Sequence, residues 1–372
     1  MALLISYTLF VYQMDRHSDP QTVPEEKKIV HLAATGDILM HNMVIDSGRL
    51  STGYHYDHLF LPIKHILKDA DYASVCLEAA LAGPESGYTG YPAFNAPDET
   101  AAALKNSGFG LIATASNHSL DRGYKGALRT IKILNEAGLD TVGTYAGWPQ
   151  QKNGALIKDI DGVKIGYLAY TYSTNGLPVP EGHEYLVNYL DQETVLADIK
   201  RTRPQVDVLI LILHWGVEYS PYPTEQQQKM AAIFFAHGAD AILGSHPHVL
   251  QPYEIMMING KKHFVIYSMG NSVGNQRGLE RNSGVIVELF FEKDFSSAQT
   301  VLSDFRLTPT YCHTYQAQGK RCFRMIPIEE TIIAIEKGEE PYLQRQDLPL
   351  LKNILKVSTQ HLNSLEKTNT QS

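Results

Sequence analysis

Cysteine is scarce in this chain: 372 residues carry three, Cys76, Cys312 and Cys322. That excludes a disulfide framework. Cys312 and Cys322 can form one bridge if the domain lies outside the cytoplasm, or stand as two free thiols. Positive charge is short as well. Lysine and arginine total 32 against 40 acidic residues, a net charge of −8, so there is no basic footprint for nucleic acid. Internal repeats and low-complexity tracts are lacking. The apolar head Ala2–Met14 falls below the roughly 20 residues that span a bilayer, and it lacks the basic start of a signal peptide. The polar, two-proline stretch Asp15–Lys28 follows it. Residues 1–28 read either as the incomplete tail of an export signal or membrane anchor with its linker, or as a stray N-terminal element packed on the fold. What is present is a core: 44% of residues are hydrophobic and 19% charged, as in globular domains.

Strand and helix patterns alternate. Strands are expected at Ile29–Ala34, Asp71–Leu77, Gly108–Ala115, Leu139–Val142, Val163–Ala169, Val206–Leu213 and Ala239–Leu243. Helices are expected at Asp57–Lys68, Pro97–Ser107, Tyr124–Ala137, Asp191–Thr202 and Glu225–His237. A hairpin follows, Tyr253–Met257 and His263–Tyr267 around Asn259-Gly260, then strands at Gly284–Phe291 and Thr300–Thr308. Alternation of this kind predicts an α/β fold. No linker interrupts the chain up to Ile328, which predicts one domain over 29–330 and a helical tail over 331–372.

Polar residues punctuate the strand ends. Asp37, Glu78, Asn117-His118, His214 and the pair His246/His248 each follow an apolar run. Singly, each has an ordinary use: Asp37 can cap a helix, and the histidine pair can be surface loop. Pro247 favours an extended backbone, which would aim His246 and His248 to one side. In a parallel or mixed sheet the strand ends converge on one edge. Two carboxylates, an amide and several imidazoles suffice there for two divalent ions, with Glu78 or Asp37 bridging. Zinc, manganese and iron all suit such donors. His118, beside Asn117, can stay unligated and protonate a leaving group, with Asp121 holding its proton. Candidate substrate contacts are Arg122, Trp215 and Glu218. Arg122 reads equally as a solvated residue at a helix start.

The segments GDILMH (Gly36–His41), CLEAALAG (Cys76–Gly83), FNAPDE (Phe94–Glu99), SNHSLDRG (Ser116–Gly123), YTYSTNGLPVP (Tyr170–Pro180), HWGVEY (His214–Tyr219), GSHPHVLQPYE (Gly244–Glu254) and YSMGNSV (Tyr267–Val273) occur in this order. Together they resemble the capsule-synthesis CapA (PGA_cap) proteins, whose domain is similar to the calcineurin-like metallophosphoesterases. The resemblance implies a four-layer αββα sandwich of the metallo-dependent phosphatase type. It implies work on poly-γ-glutamate, an anionic capsule polymer, at the cell surface, alongside membrane-bound capsule-synthesis subunits. It carries over the metal ligands onto Asp37, Glu78, Asn117, His214, His246 and His248, and leaves His118 free. Departures stand at Leu39, where the phosphoesterases place a histidine, at Glu78, where they use aspartate, and at Cys76, Ser116 and Ser272. Three functions remain open: a metal-dependent hydrolase or transferase on an envelope anion, a non-catalytic subunit of a capsule complex, and a general phosphoesterase.

Overall fold

The computed structural model describes residues 27–365, residue 318 excepted. The expected export or anchor segment 1–28 lies outside the described residues but for its last two. The chain first lays down β1 (Lys27–Ile38), β2 (Tyr72–Leu77), β3 (Phe109–Ala113) and β4 (Asp140–Val142), parallel neighbours in one sheet. It then builds a second sheet: β5 (Leu156–Ile160), β6 (Val163–Thr171), β7 (Val208–His214), β8 (Ala241–Ser245), β9 (Leu250–Ile258) and β10 (Lys261–Met269). It finally returns to the first sheet with β11 (Asn271–Val273), β12 (Ser283–Asp294), β13 (Gln299–Ala317) and β14 (Lys320–Pro327).

Side-chain alternation makes four layers. From β1, Val30, Leu32 and Ala34 point between the sheets and meet Ile165, Ile210, Leu243 and Phe264. From the same sheet, Val75, Leu77 and Ile112 point outward, against Leu67, Leu104 and Leu134 of the helices. On β7, Ile210 and Ile212 face inward while Leu209, Leu211 and Leu213 face the helices Gln192–Thr202 and Glu225–Ala236. This double burial is why VDVLILIL is an unbroken aliphatic run. The architecture is mixed α/β, two packed sheets flanked by helices.

The passage from β10 to β11 joins the sheets. Gly270, at φ 68°, turns the chain from one sheet into the other, and its carbonyl accepts the Asp37 N–H at 2.9 Å. Gly36 lies under that carbonyl: a Cβ there would stand 1.9 Å from the oxygen, so no other residue fits. This crossing sets Asp37 of β1 opposite Asn271 of β11.

One expectation needed correction, two strands were not foreseen, and the two readings of the cysteines resolve to free thiols. The helix expected over Asp57–Lys68 is two 3-10 turns, Asp57–Leu59 and Leu61–Ile63, followed by a short α-helix, Lys64–Asp69. Pro62 lacks the N–H that a continuous helix would use. β5, a half-exposed edge strand with little apolar periodicity, and β14, an edge strand buried from Cys322 to Pro327, were not foreseen. Cys312 and Cys322 are not bridged: Cys312 faces Met325 and Cys322 faces Tyr315 across the β13–β14 ladder. The C-terminal helices Ile328–Lys337 and Leu348–Leu362 pack on each other, and His361 Nε2 reaches the Leu250 carbonyl at 3.0 Å.

Two histidines away from the strand ends make the fold acid-sensitive. Burial, and then the His55 charge, hold His58 down at about 4, and burial, and then Arg324, hold His313 down at about 4. Arg324 Nε donates to His313 Nδ1 at 3.1 Å, which requires that nitrogen unprotonated. In the unfolded chain each ring binds its proton near about 6.5. Between those two values the unfolded state holds more protons, so stability falls as pH drops through the window. Metal-free protein should therefore melt at a lower temperature near pH 5 than near pH 7.5. Substituting both rings with glutamine should flatten part of that slope. An unfolding midpoint constant across the window contradicts the assignment.

Candidate metal centre

The strand ends do converge. Asp37 lies at the end of β1, Glu78 follows β2, Asn117 and His118 follow β3, His214 ends β7, and His246 and His248 follow β8. All seven side chains are buried. Potential ligand atoms of Asp37, Glu78 and His248 lie within 4.8 Å of one another, as do those of Glu78, His214 and His246. Glu78 belongs to both groups. The Asn117 amide oxygen is 2.9 Å from His214 Nε2. His248 Nε2 and His214 Nε2 stand 3.8 Å and 3.7 Å from Glu78 Oε1.

The histidine pair is held in a way its sequence does not suggest. His246 and His248 have φ of 94° and 59°, left-handed rather than extended. Non-glycine residues rarely adopt such angles, and where they do the surroundings enforce them. Here the His246 N–H donates to Asp37 Oδ2 at 3.0 Å, and the Pro247 carbonyl accepts the Tyr219 N–H at 2.8 Å. The imidazoles still come together, 6.0 Å between ring centroids.

Charge in the cluster is unbalanced. Burial pushes the Glu78 carboxyl well above its usual range; His248 pulls it back and Asp37 pushes it further. Burial and the neighbouring His246 and His248 keep His214 well below an ordinary imidazole. Burial and His248 bring His246 down to about 4. Burial also lowers His248, but Glu78 and Asp37 outweigh it and raise the ring to about 9. His214 and His246 are thus neutral, with His246 Nδ1 unpartnered, while the His248 charge faces Glu78 and Asp37.

Four buried oxygen and nitrogen atoms of the cluster have no hydrogen-bond partner: Asp37 Oδ1, both Glu78 oxygens and His246 Nδ1. Orphaned acceptors cost roughly 1–3 kcal/mol each when nothing satisfies them. That they gather in one place, among imidazoles, fits a divalent cation better than any internal pairing.

Of the other expected residues, Asp121 accepts from His118 Nδ1 at 2.8 Å and from the Phe94 N–H at 2.6 Å. His118 Nε2 faces Glu78 Oε1 at 3.7 Å. Glu218 is exposed, with its carboxylate grouped with His246 and His248. Arg122 gives Nη2 to Thr89 Oγ1 and, at 2.9 Å, to the Ala93 carbonyl, while its buried Nε has no hydrogen-bond partner. Trp215 does not face the cleft. One residue past His214, it points to the opposite side of the strand, is 1% exposed, and gives its indole N–H to the Tyr267 carbonyl at 3.0 Å. It is a core side chain.

Three contributors were not foreseen. Cys76 Sγ lies 3.8 Å from His214 Nδ1 and groups with Asp37 and His214. Its signal was its place two residues before Glu78, on the same strand face. Ser245 Oγ is 2.9 Å from His214 Nδ1, and Asn271 Oδ1 is 3.1 Å from His248 Nδ1. Asn271 carried the same signal as the expected residues, a polar group directly after an apolar strand.

Residues 31–276 match the family described as "Bacterial capsule synthesis protein PGA_cap". The chain is similar to the capsule biosynthesis protein CapA of Bacillus anthracis, 28% identical over 271 residues, covering 71% of this chain and 64% of that one. It is similar to the PGA biosynthesis protein CapA of Bacillus subtilis, 25% identical over 301 residues, covering 79% of this chain and 74% of that one. The chain thus spans about two thirds to three quarters of the length of these curated relatives. Among solved structures, the calcineurin-like phosphoesterase YfkN of Bacillus subtilis superposes with a TM-score of 0.45 at 15% identity, over 76% of this chain and 90% of that one. The 5'-nucleotidase precursor of Thermus thermophilus gives 0.48 at 13%, over 91% and 60%. The PGA_cap match runs from β1 through β11 and contains every candidate ligand from Asp37 to Asn271. This chain is a member of the bacterial capsule synthesis protein PGA_cap family.

Proposed function

We propose that this protein is a metal-dependent hydrolase of an anionic polymer, poly-γ-glutamate, acting during capsule formation at the cell surface. The observation that carries the reading is Glu78: fully buried, with both oxygens unpartnered, and shared by two groups of ligand atoms. A carboxylate so placed suits two ions, one held with Asp37 and His248, the other with His214, His246 and Asn117. Manganese, zinc and iron all fit these donors. When bound, such ions supply Lewis acidity and lower the pKa of a water.

The chain's own groups do the rest. Asp121 fixes the His118 ring by accepting from Nδ1, and the Phe94 N–H fixes Asp121 in turn. Phe94 also sets its ring edge-on to the imidazole, 4.8 Å between centroids. Nε2 is left to deliver a proton towards the Glu78 side of the cleft. In hydrolysis of an amide, the bond between acyl carbon and nitrogen breaks. Water's OH goes to the carbon, the His118 proton goes to the departing nitrogen, and water's remaining proton restores His118. Leu39, buried in the core where the phosphoesterases place a histidine, leaves the Asp37 side with fewer imidazoles. In this reading residues 29–330 form the catalytic unit, 331–372 are its C-terminal helical tail, and 1–28 attach it to the envelope beside membrane subunits of capsule synthesis. Among the described residues, no helix is long and apolar enough to cross a membrane.

The test is elemental analysis of freshly purified full-length protein, together with the size distribution of poly-γ-glutamate after incubation. Two metal equivalents and progressive shortening of the polymer are expected. Polymer of unchanged length in the presence of a fully loaded site would reduce the protein to a binding component.

A further inference from the structure

An anionic polymer presents more than one negative group, so a centre that acts on it needs a cation beyond the ligand cluster. Arg122 holds Thr89 and Ala93 through Nη2, and its Nε is buried, turned away from solvent. Arg281 is not committed. Its guanidinium carbon lies over the Tyr219 ring, 3.8 Å from the centroid, a cation–π contact that keeps the charge poised while leaving its N–H groups available. Among the described residues no carboxylate forms an ion pair with it.

Both partners are built into the metal centre. The Tyr219 ring is 6.0 Å, centroid to centroid, from His248. Tyr219 itself sits at φ 64°, costly for a bulky side chain, and is pinned by its N–H on the carbonyl of Pro247, between the two histidines. Tyr219 is 40% exposed, so its ring and the charge above it reach solvent. The backbone of Arg281 is fixed too. Its carbonyl accepts from Asn271 Nδ2 at 2.7 Å, and the Oδ1 of the same amide lies 3.1 Å from His248 Nδ1. One asparagine thus ties the arginine's position to that of a ligand histidine. A free surface arginine has no need of such anchoring.

We propose that Arg281, carried on the face of Tyr219, is a specificity-determining clamp for a second carboxylate of the substrate, next to the group held at the metal centre. This rests on reading the cluster as a centre for an anionic polymer. A γ-glutamyl chain, with a free carboxylate on every residue, satisfies the clamp; the same chain with amidated carboxyls does not. Charge-assisted, two-pronged bonding of guanidinium to carboxylate supplies the discrimination.

The experiment measures binding of a fluorescently labelled short γ-glutamyl oligomer, and of its fully amidated counterpart, to the full-length protein and to Arg281→Ala and Arg281→Lys. Metal content is measured on each sample. Arg281→Ala should weaken the acidic oligomer about tenfold or more, with Arg281→Lys between the two. The amidated oligomer should bind both proteins alike, and metal content should not change. If turnover is measurable, KM for the polymer should rise while kcat holds. Equal affinity of wild type and Arg281→Ala for the acidic oligomer overturns the clamp, as does an equal loss for the amidated one. Wild-type protein without metal would instead overturn the hydrolytic reading, and the affinity ratio would still judge Arg281.

Discussion

His118→Ala should retain its full complement of metal and lose polymer cleavage by about 10²–10⁴-fold, the range for removal of a general acid. The two halves of this expectation come from different contacts. Metal should stay because His118 belongs to none of the groups of ligand atoms: its Nδ1 is taken by Asp121 at 2.8 Å, and its Nε2 stands 3.7 Å from Glu78 Oε1. Turnover should fall because the other imidazoles of the cluster, His214, His246 and His248, are taken up as ligands in the loaded centre and cannot deliver that proton. His214 and His246 are held neutral by burial and by the histidines around them. Asp121→Asn should give a smaller loss, since an amide can still hold the ring but cannot stabilise its charge. Elemental analysis and initial rates on one preparation of each variant decide the matter. Normal metal with unchanged rate in His118→Ala would remove the acid role.

Much of this was legible because the site sits where apolar runs stop. VDVLILIL announced β7, and His214 at its end was visible without any structure. Asp37 and Glu78 were legible for the same reason. What could not be read was conformation imposed from far along the chain. His246 and His248 are left-handed because Asp37 holds one backbone N–H and the loop of Tyr219 holds the carbonyl between them. From sequence, Pro247 argued for extended backbone, and the tertiary partners overrode it. Trp215, adjacent to His214 in sequence, points to the opposite face of the strand and packs in the core. The Arg281–Tyr219 contact joins residues with no pattern between them and needed the β10–β11 crossing to bring the loops together. Strand β5 stayed hidden because a half-exposed edge carries too little apolar signal, and β14, though buried from Cys322 on, has its apolar run broken by Arg324.

Glu78→Gln should separate stability from metal binding. The carboxylate is fully buried, both oxygens lack partners, and burial together with Asp37 already pushes its carboxyl well above the usual range. In metal-free protein the side chain is therefore a source of strain, and a neutral amide of the same shape should relieve it. The expected gain comes from removing a desolvated charge and is read as a higher unfolding midpoint in chelator. The amide has one oxygen in place of a shared, charged pair, so it cannot serve both groups of ligand atoms at once. Metal content should fall from two equivalents to one or fewer, and cleavage with it. In excess metal the order of stabilities should reverse, because ligands that bind only the folded state stabilise it in proportion to their occupancy. Unfolding midpoints of both proteins, each with chelator and with metal, provide the check. The wild type should be the less stable of the two when stripped and the more stable when loaded. A glutamine variant that keeps two ions, or that is less stable than wild type in chelator, would show that Glu78 is an ordinary buried acid and that the ions are held elsewhere.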